Sequence, residues 1–232
     1  MTRKLKTSES FTCKFCGKSY RRLSTLTAHL CEKKRRFNQE KEVGVQFGLR
    51  AYLTFYERTQ PHGTKKTYKD FVDSNYYIAF VKFGRHIKMI NAVKPERFID
   101  YVITENKKLD YWCQERVYVA YLQQMIRKEN PNDSLQRGLE VMIKWGDGTG
   151  SDWAHYFKEA SPNAVCKEIQ NGRISPWIVY NSNSGLAFLD KLNEDQLGQI
   201  YDYIDPEYWT NRFTNYMGDV EYMKDTLKEA GL

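Results

Sequence analysis

The sequence predicts a mainly α protein: a small ββα element over residues 8–36, then an aromatic-rich all-α domain over residues 38–232. Three observations predict it. Apolar residues recur at three- and four-residue spacing through most of the chain, the period of one helix face. Ser161-Pro162, Ser175-Pro176 and Asp205-Pro206 each set an N-cap residue before a proline suited to the first helical turn. Alternating, strand-like runs are few, and no repeat of about 20–50 residues occurs, which argues against a solenoid.

Composition narrows the class. Hydrophobic residues at 41% and charged residues at 28% fit a soluble globular chain and are too apolar for a disordered one. The longest apolar stretch, Tyr76 to Val81, falls far short of the ~20 residues of a membrane span. The basic N-terminus is not followed by an apolar core of signal-peptide length, so no secretory leader is expected. A reducing cytoplasm is the expected compartment. The 5 cysteines form no evenly spaced disulfide framework, so metal binding or plain burial is expected of them. With 17 Tyr, 12 Phe and 5 Trp, a sizeable core or a Tyr-rich partner surface would each explain the aromatic fraction.

Charge is concentrated at one end. Residues 1–50 hold 13 basic and 4 acidic side chains, a net of +9, whereas the remaining 182 hold 23 basic and 25 acidic, a net of −2. Such a local field attracts polyanions, nucleic acid first among them.

The same segment carries soft metal donors. Cys13 and Cys16 form a C-x2-C pair, and thiolates so spaced on a tight turn reach one tetrahedral ion. Twelve residues separate Cys16 from His29, room for a short strand return and two helical turns that bring the imidazole back. Phe11 lies two before Cys13, Tyr20 four after Cys16, and Leu26 three before His29. On those six positions the segment resembles a C2H2-type zinc finger, here a C2HC variant. The resemblance implies a Zn2+ ion, a ββα fold and a miniature core of Phe11, Tyr20 and Leu26.

The fourth ligand departs from the family. In the family a second His, or sometimes Cys, follows the first His after three to five intervening residues, but here those places hold Lys33, Lys34 and Arg35, none of which binds zinc. Cys31 is the nearest soft donor. Residues two apart on an unbroken helix lie about 200° apart around the axis. Cys31 therefore ligates only if the helix ends or unwinds just after His29; His62 and Cys113 are the distant alternatives.

In DNA-binding relatives the finger helix enters the major groove and reads bases from the residue before it and from its third and sixth residues. Those places here hold Arg22, Thr25 and Ala28. Arg22 suits bidentate contact with guanine, Thr25 reads weakly and Ala28 offers only apolar contact. One finger covers about three base pairs, so low intrinsic sequence preference is implied. The run Lys33-Lys34-Arg35-Arg36, with Lys18 and Arg21, would add phosphate contacts. DNA is the favoured nucleic acid. Docking on a protein is the competing use of a solitary finger.

The body reads as helices in order. Val43, Phe47, Ala51 and Phe55 mark a helix of about 20 residues ending near Gln60-Pro61, in which Gly44 and Gly48 allow another backbone to pack closely. Thr67–Asn75 is a capped helix, Tyr77–Ile90 another, Pro95 opens a third, and Leu109–Lys128 is the longest amphipathic run. Asn193 and Gln196 form a capping-box pattern, while Gly172 and Gly185 read as a stop and a turn.

Enzyme chemistry is not expected from any motif; a nuclease with catalytic carboxylates dispersed along the sequence is the alternative left open. Trp145–Trp153 has oxygens at alternate places from Asp147, but the calcium-loop glycine is displaced and Lys158 stands where a bidentate Glu belongs. It also lacks the Gly-Lys-Ser/Thr ending of a phosphate loop, so a flexible connection is expected there. Asn181–Gly185 reads as a turn with local caps. His86 and His155 read as satisfied or exposed histidines, and Cys113 and Cys166 as buried thiols. The whole chain weakly resembles accessory proteins of large tailed bacteriophages, which implies a bacterial host cytoplasm and no activity. Two functions follow: a zinc-finger nucleic-acid-binding accessory protein whose helical domain contacts another protein, or an interaction protein in which zinc staples the N-terminus to the body. The two part on whether Arg22, Thr25 and Lys33–Arg36 are exposed or packed.

Overall fold

A computed structural model describes residues 10–232; Ser8 and Glu9, at the start of the predicted finger, lie outside the described residues. The chain is mainly α with one small antiparallel hairpin near the N-terminus. Two compact units divide it, the first running to Gln114 and the second from Glu115 to Leu232. The boundary falls inside the span read above as one helical domain.

The first unit opens with β1 (Phe11–Thr12) and β2 (Ser19–Tyr20), paired Phe11 to Tyr20 and Thr12 to Ser19. Six helices follow: α1 (Leu23–Ala28), α2 (Glu32–Asn38), α3 (Val43–Thr59), α4 (Tyr68–Asp73), α5 (Tyr77–Met89) and α6 (Pro95–Thr104). The predicted use of glycine holds where α3 crosses α5. A Cβ on Gly84 would overlap the carbonyl oxygen of Gly44 and the amide nitrogen of Gly48, so both helices need bare backbone at the crossing. Beside it Phe71, Phe80, Phe83, Phe98 and Trp112 are buried together, so these aromatics build core. The α4 helix starts with a full capping box between Thr67 and Asp70.

The run Leu109–Lys128 is not one helix. A 3-10 turn covers Leu109–Tyr111, Trp112 is buried with its indole N–H donating to the carbonyl of Lys107 at 2.8 Å, and α7 (Glu115–Lys128) begins afresh in the second unit.

The second unit continues with α8 (Pro131–Thr149), α9 (Tyr156–Glu159), α10 (Pro162–Gln170), α11 (Pro176–Val179), α12 (Asn183–Leu189), α13 (Glu194–Ile204), α14 (Pro206–Asn215) and α15 (Met217–Glu229). Ser161, Ser175, Asn193 and Asp205 are N-caps as read, and Asn193 with Gln196 closes a capping box. Trp177, Trp209, Phe157 and Phe188 fill its core. Two expectations change. The expected connection at Trp145–Thr149 is the last turn of α8, ended by Gly150 at φ 76, and bare Gly146 lets the returning chain at Ser151 pass close. Gly185 is not a turn residue but lies in the first turn of α12, its amide donating to the cap Ser182 Oγ at 3.1 Å.

Candidate metal centre

The C-x2-C turn is shaped by backbone bonds. The amide of Gly17 donates to the carbonyl of Cys13 and that of Cys13 to the carbonyl of Lys18, each at 2.8 Å, and Gly17 takes φ 73 to close the loop. Phe11, Tyr20 and Leu26 are half-buried between the hairpin and α1, as a miniature core requires. The Tyr20 ring lies 5.0 Å from that of His29.

The helix question has a clear outcome. α1 stops at Ala28, and His29 is extended at ψ 121. The chain then turns so that Cys31 becomes the N-cap of α2, its Sγ accepting the Lys34 amide at 3.4 Å. One short helix, a break and a second helix thus replace the single helix of the finger pattern. The break brings His29 and Cys31 to the same side as the C-x2-C turn. Cys13, Cys16, His29 and Cys31 offer four donor atoms that all lie within 4.8 Å of one another. Cys13 and Cys31 Sγ are 4.0 Å apart, and Cys16 Sγ is 3.2 Å from His29 Nε2. A tetrahedron with ~2.3 Å bonds has edges of about 3.8 Å, so the spacing suits one such ion. Among the described residues this is the one Cys/His/carboxylate group that could hold a metal, and it includes neither His62 nor Cys113.

Electrostatics agree with a cation at this place. Backbone N–H groups of Cys16 and Phe15 hold the Cys13 thiol below its ordinary value. Cys16 goes the other way: the Lys18 amide lowers it, but burial and the neighbouring Cys13 and Cys31 sulfurs together push it up. Three sulfurs in so small a volume resist ionising together unless a positive charge sits among them. Thiolates with one imidazole are a donor set suited to zinc, and four protein donors leave no open position for catalysis. Bound zinc would supply cross-linking of the hairpin to the start of α2.

The predicted nucleic-acid contacts separate into two groups. Lys18, Arg21, Arg22 and Thr25 are exposed, and the three cations enter no ion pair among the described residues. The later run is engaged. Lys33 Nζ is 2.6 Å from Asp73 Oδ1, and Lys34 Nζ caps α1 through the carbonyls of His29 at 3.1 Å and Thr27 at 3.4 Å. Arg35 pairs with Glu32. Arg36 pairs with Glu32 at 3.1 Å and donates to the carbonyl of Val72 at 2.8 Å. The Glu32 carboxyl lies below its usual range because Arg36, then Arg35, holds its charged form.

Sequence reasoning missed the aromatic seam that joins the metal lobe to the body. Phe15, inside the C-x2-C turn, lies 5.1 Å from Phe37, and Phe37 meets Tyr68 edge-on at 5.6 Å. The Tyr68 hydroxyl donates to the carbonyl of Arg36 at 2.8 Å. The available signal was an extra aromatic, Phe15, that the miniature core does not need.

Of the other residues singled out, His155 Nδ1 lies 3.2 Å from Glu159, Cys166 is buried as read, and Cys113 is only half-buried, burial pushing both thiols up. His86, read as satisfied or exposed, is half-buried, and its Nε2 has no hydrogen-bond partner among the described residues. No helix among the described residues is long and apolar enough to cross a membrane. Comparison with protein-family models, curated proteins and solved structures finds no match.

Proposed function

We propose that this protein binds nucleic acid, with DNA as the favoured form, through a zinc-organised basic lobe, while its helical part contacts another protein. Zn2+ held by Cys13, Cys16, His29 and Cys31 would be structural. The observation that carries the reading is the exposure of Lys18, just before β2, and of Arg21 and Arg22, where β2 passes into α1, with no ion pair among the described residues. Supporting it, the unit containing them has 24 basic against 11 acidic side chains, a net of +13 over 114 residues. The following 118 residues have 12 against 18, a net of −6. Phosphate contact would dominate affinity, with Arg22 the strongest base reader and Thr25 a weak one. The reading is of a binding protein rather than an enzyme, acting in a cytoplasm, that of a bacterial host if the chain is phage-encoded.

A second reading is supported by Arg36, whose bonds to Glu32 and Val72 tie α2 to α4. In it the zinc staples the N-terminus to the body and the finger serves a protein contact alone. One titration separates the two. Zinc-loaded protein is titrated into a labelled random duplex at several salt concentrations. With phosphate contacts from Lys18 and Arg21, log Kobs should fall against log salt with a slope of about −2. Absence of binding at low salt, or binding indifferent to salt, leaves the staple.

A further inference from the structure

A groove of about 780 Å3 runs between α2 and α5. Ile78, Val81 and Met89 line it, at spacings that place them along one side of α5. Ile78 is 66% exposed and Met89 75%. Interleaved with them on the same side are Lys82 and Arg85, and Arg35 faces in from α2, paired with Glu32, which also lines the groove. Lys82 enters no ion pair among the described residues; Arg85 is held by Glu42 through two bonds of 2.8 Å. Two residues lining the groove carry buried polar atoms without a hydrogen-bond partner among the described residues, the Tyr77 hydroxyl and His86 Nε2.

We infer that this groove receives an acidic amphipathic helix from a partner protein. Its length argues for a helix. Ile78 and Met89 are eleven residues apart on α5, about 16 Å at 1.5 Å per residue, which matches three turns of an apposed helix. Exposed aliphatic side chains along the groove suit the apolar stripe of such a helix, and Met89 adapts its shape readily. Flanking carboxylates would meet Lys82 first, while Arg85 and Arg35, though each holds a carboxylate of its own chain, keep the groove lining net positive against Glu32. Charge alone would equally suit a nucleic-acid strand, but a strand needs aromatic faces for its bases. The one tyrosine ring at the groove, Tyr77, is already covered by the Arg36 guanidinium at 4.5 Å.

The inference rests on the reading that the helical part contacts a protein, and it names the chemistry of that partner. The test uses full-length, zinc-loaded protein. The probe is a labelled synthetic helical peptide of about 15 residues, with leucines on one face and glutamates flanking them. A scrambled peptide of the same composition and a single-stranded oligonucleotide serve as controls. The peptide should bind at micromolar Kd and shift the methyl resonances of Ile78 and Met89, with the scramble at least about tenfold weaker. Ile78→Asp and Lys82→Glu, both at exposed positions, should each weaken it about tenfold while the circular dichroism is unchanged. A joint Lys18, Arg21 and Arg22 alanine variant should leave peptide binding intact. Equal binding of the scramble, indifference to Ile78→Asp, or displacement of the peptide by the oligonucleotide overturns the inference. Failure of the peptide alongside intact duplex binding overturns the groove and leaves the finger reading standing.

Discussion

The guanidinium of Arg36 donates to the backbone carbonyl of Val72 at 2.8 Å, joining the last cation of the N-terminal basic run to the end of α4. Its side chain is only 16% exposed, and Arg36 also bonds Glu32 and covers the Tyr77 ring. A charge so engaged is a strut, not a free phosphate contact. Arg36→Ala should therefore cost about 1.5–3 kcal/mol of stability, the worth of a hydrogen bond to a charged group. It should leave the salt slope of duplex binding unchanged. Arg21→Ala should do the reverse: stability within about 0.5 kcal/mol of the parent and a salt slope shallower by about 1. Urea melts and salt titrations of the two variants check both halves.

Cys31 is the fourth donor that the break after α1 brings to the candidate site. Loss of an outer partner of a metal site costs about 10–100-fold in affinity, so loss of a donor itself should cost at least about 100-fold. Cys31→Ser should show that drop in competition with a chromophoric chelator, whereas His62→Ala and Cys113→Ser should hold zinc as the parent does. Zinc affinity undiminished in Cys31→Ser would remove it from the ligand set.

Much of this architecture is legible because its signals are local. Ser161, Ser175, Asn193 and Asp205 announce helix starts through bonds made within three residues, and the C-x2-C turn closes on itself through Gly17. The donor set was legible too, down to the condition that the helix must end at His29. The unread parts depend on distant partners. Nothing within a few residues of Phe15 says that it will meet Phe37, or that Lys33 will find Asp73. The break at Trp112 likewise goes with the burial of one indole, which helical periodicity does not register.

The seam of Phe15, Phe37 and Tyr68 should carry the coupling between metal and body. Phe37 is half-buried, so Phe37→Ala should cost about 1–2 kcal/mol, less than the ~3–5 kcal/mol of a fully buried phenylalanine. Zinc stoichiometry should stay at one. In the parent, chelation should raise hydrogen exchange in α2 and also in α4, because Phe37 and Arg36 transmit the loss. In Phe37→Ala the exchange at α4 should respond less to chelator. An α4 response to chelator equal to the parent's would show that the seam carries no coupling.

The crossing of α3 and α5 gives opposite expectations for two helical glycines. Gly84 faces the backbone of Gly44 and Gly48, so Gly84→Ala must force the helices apart. Overpacking against backbone, which has no rotamer to move aside, belongs at the upper end of its usual range, about 3 kcal/mol. Gly198, inside α13, has open space where a Cβ would sit. Gly198→Ala should therefore stabilise by about 0.5–1 kcal/mol through helix propensity alone. Denaturant midpoints should move in opposite directions for the two variants. A Gly84→Ala protein as stable as its parent would mean that α3 and α5 cross less closely than their bare backbones require.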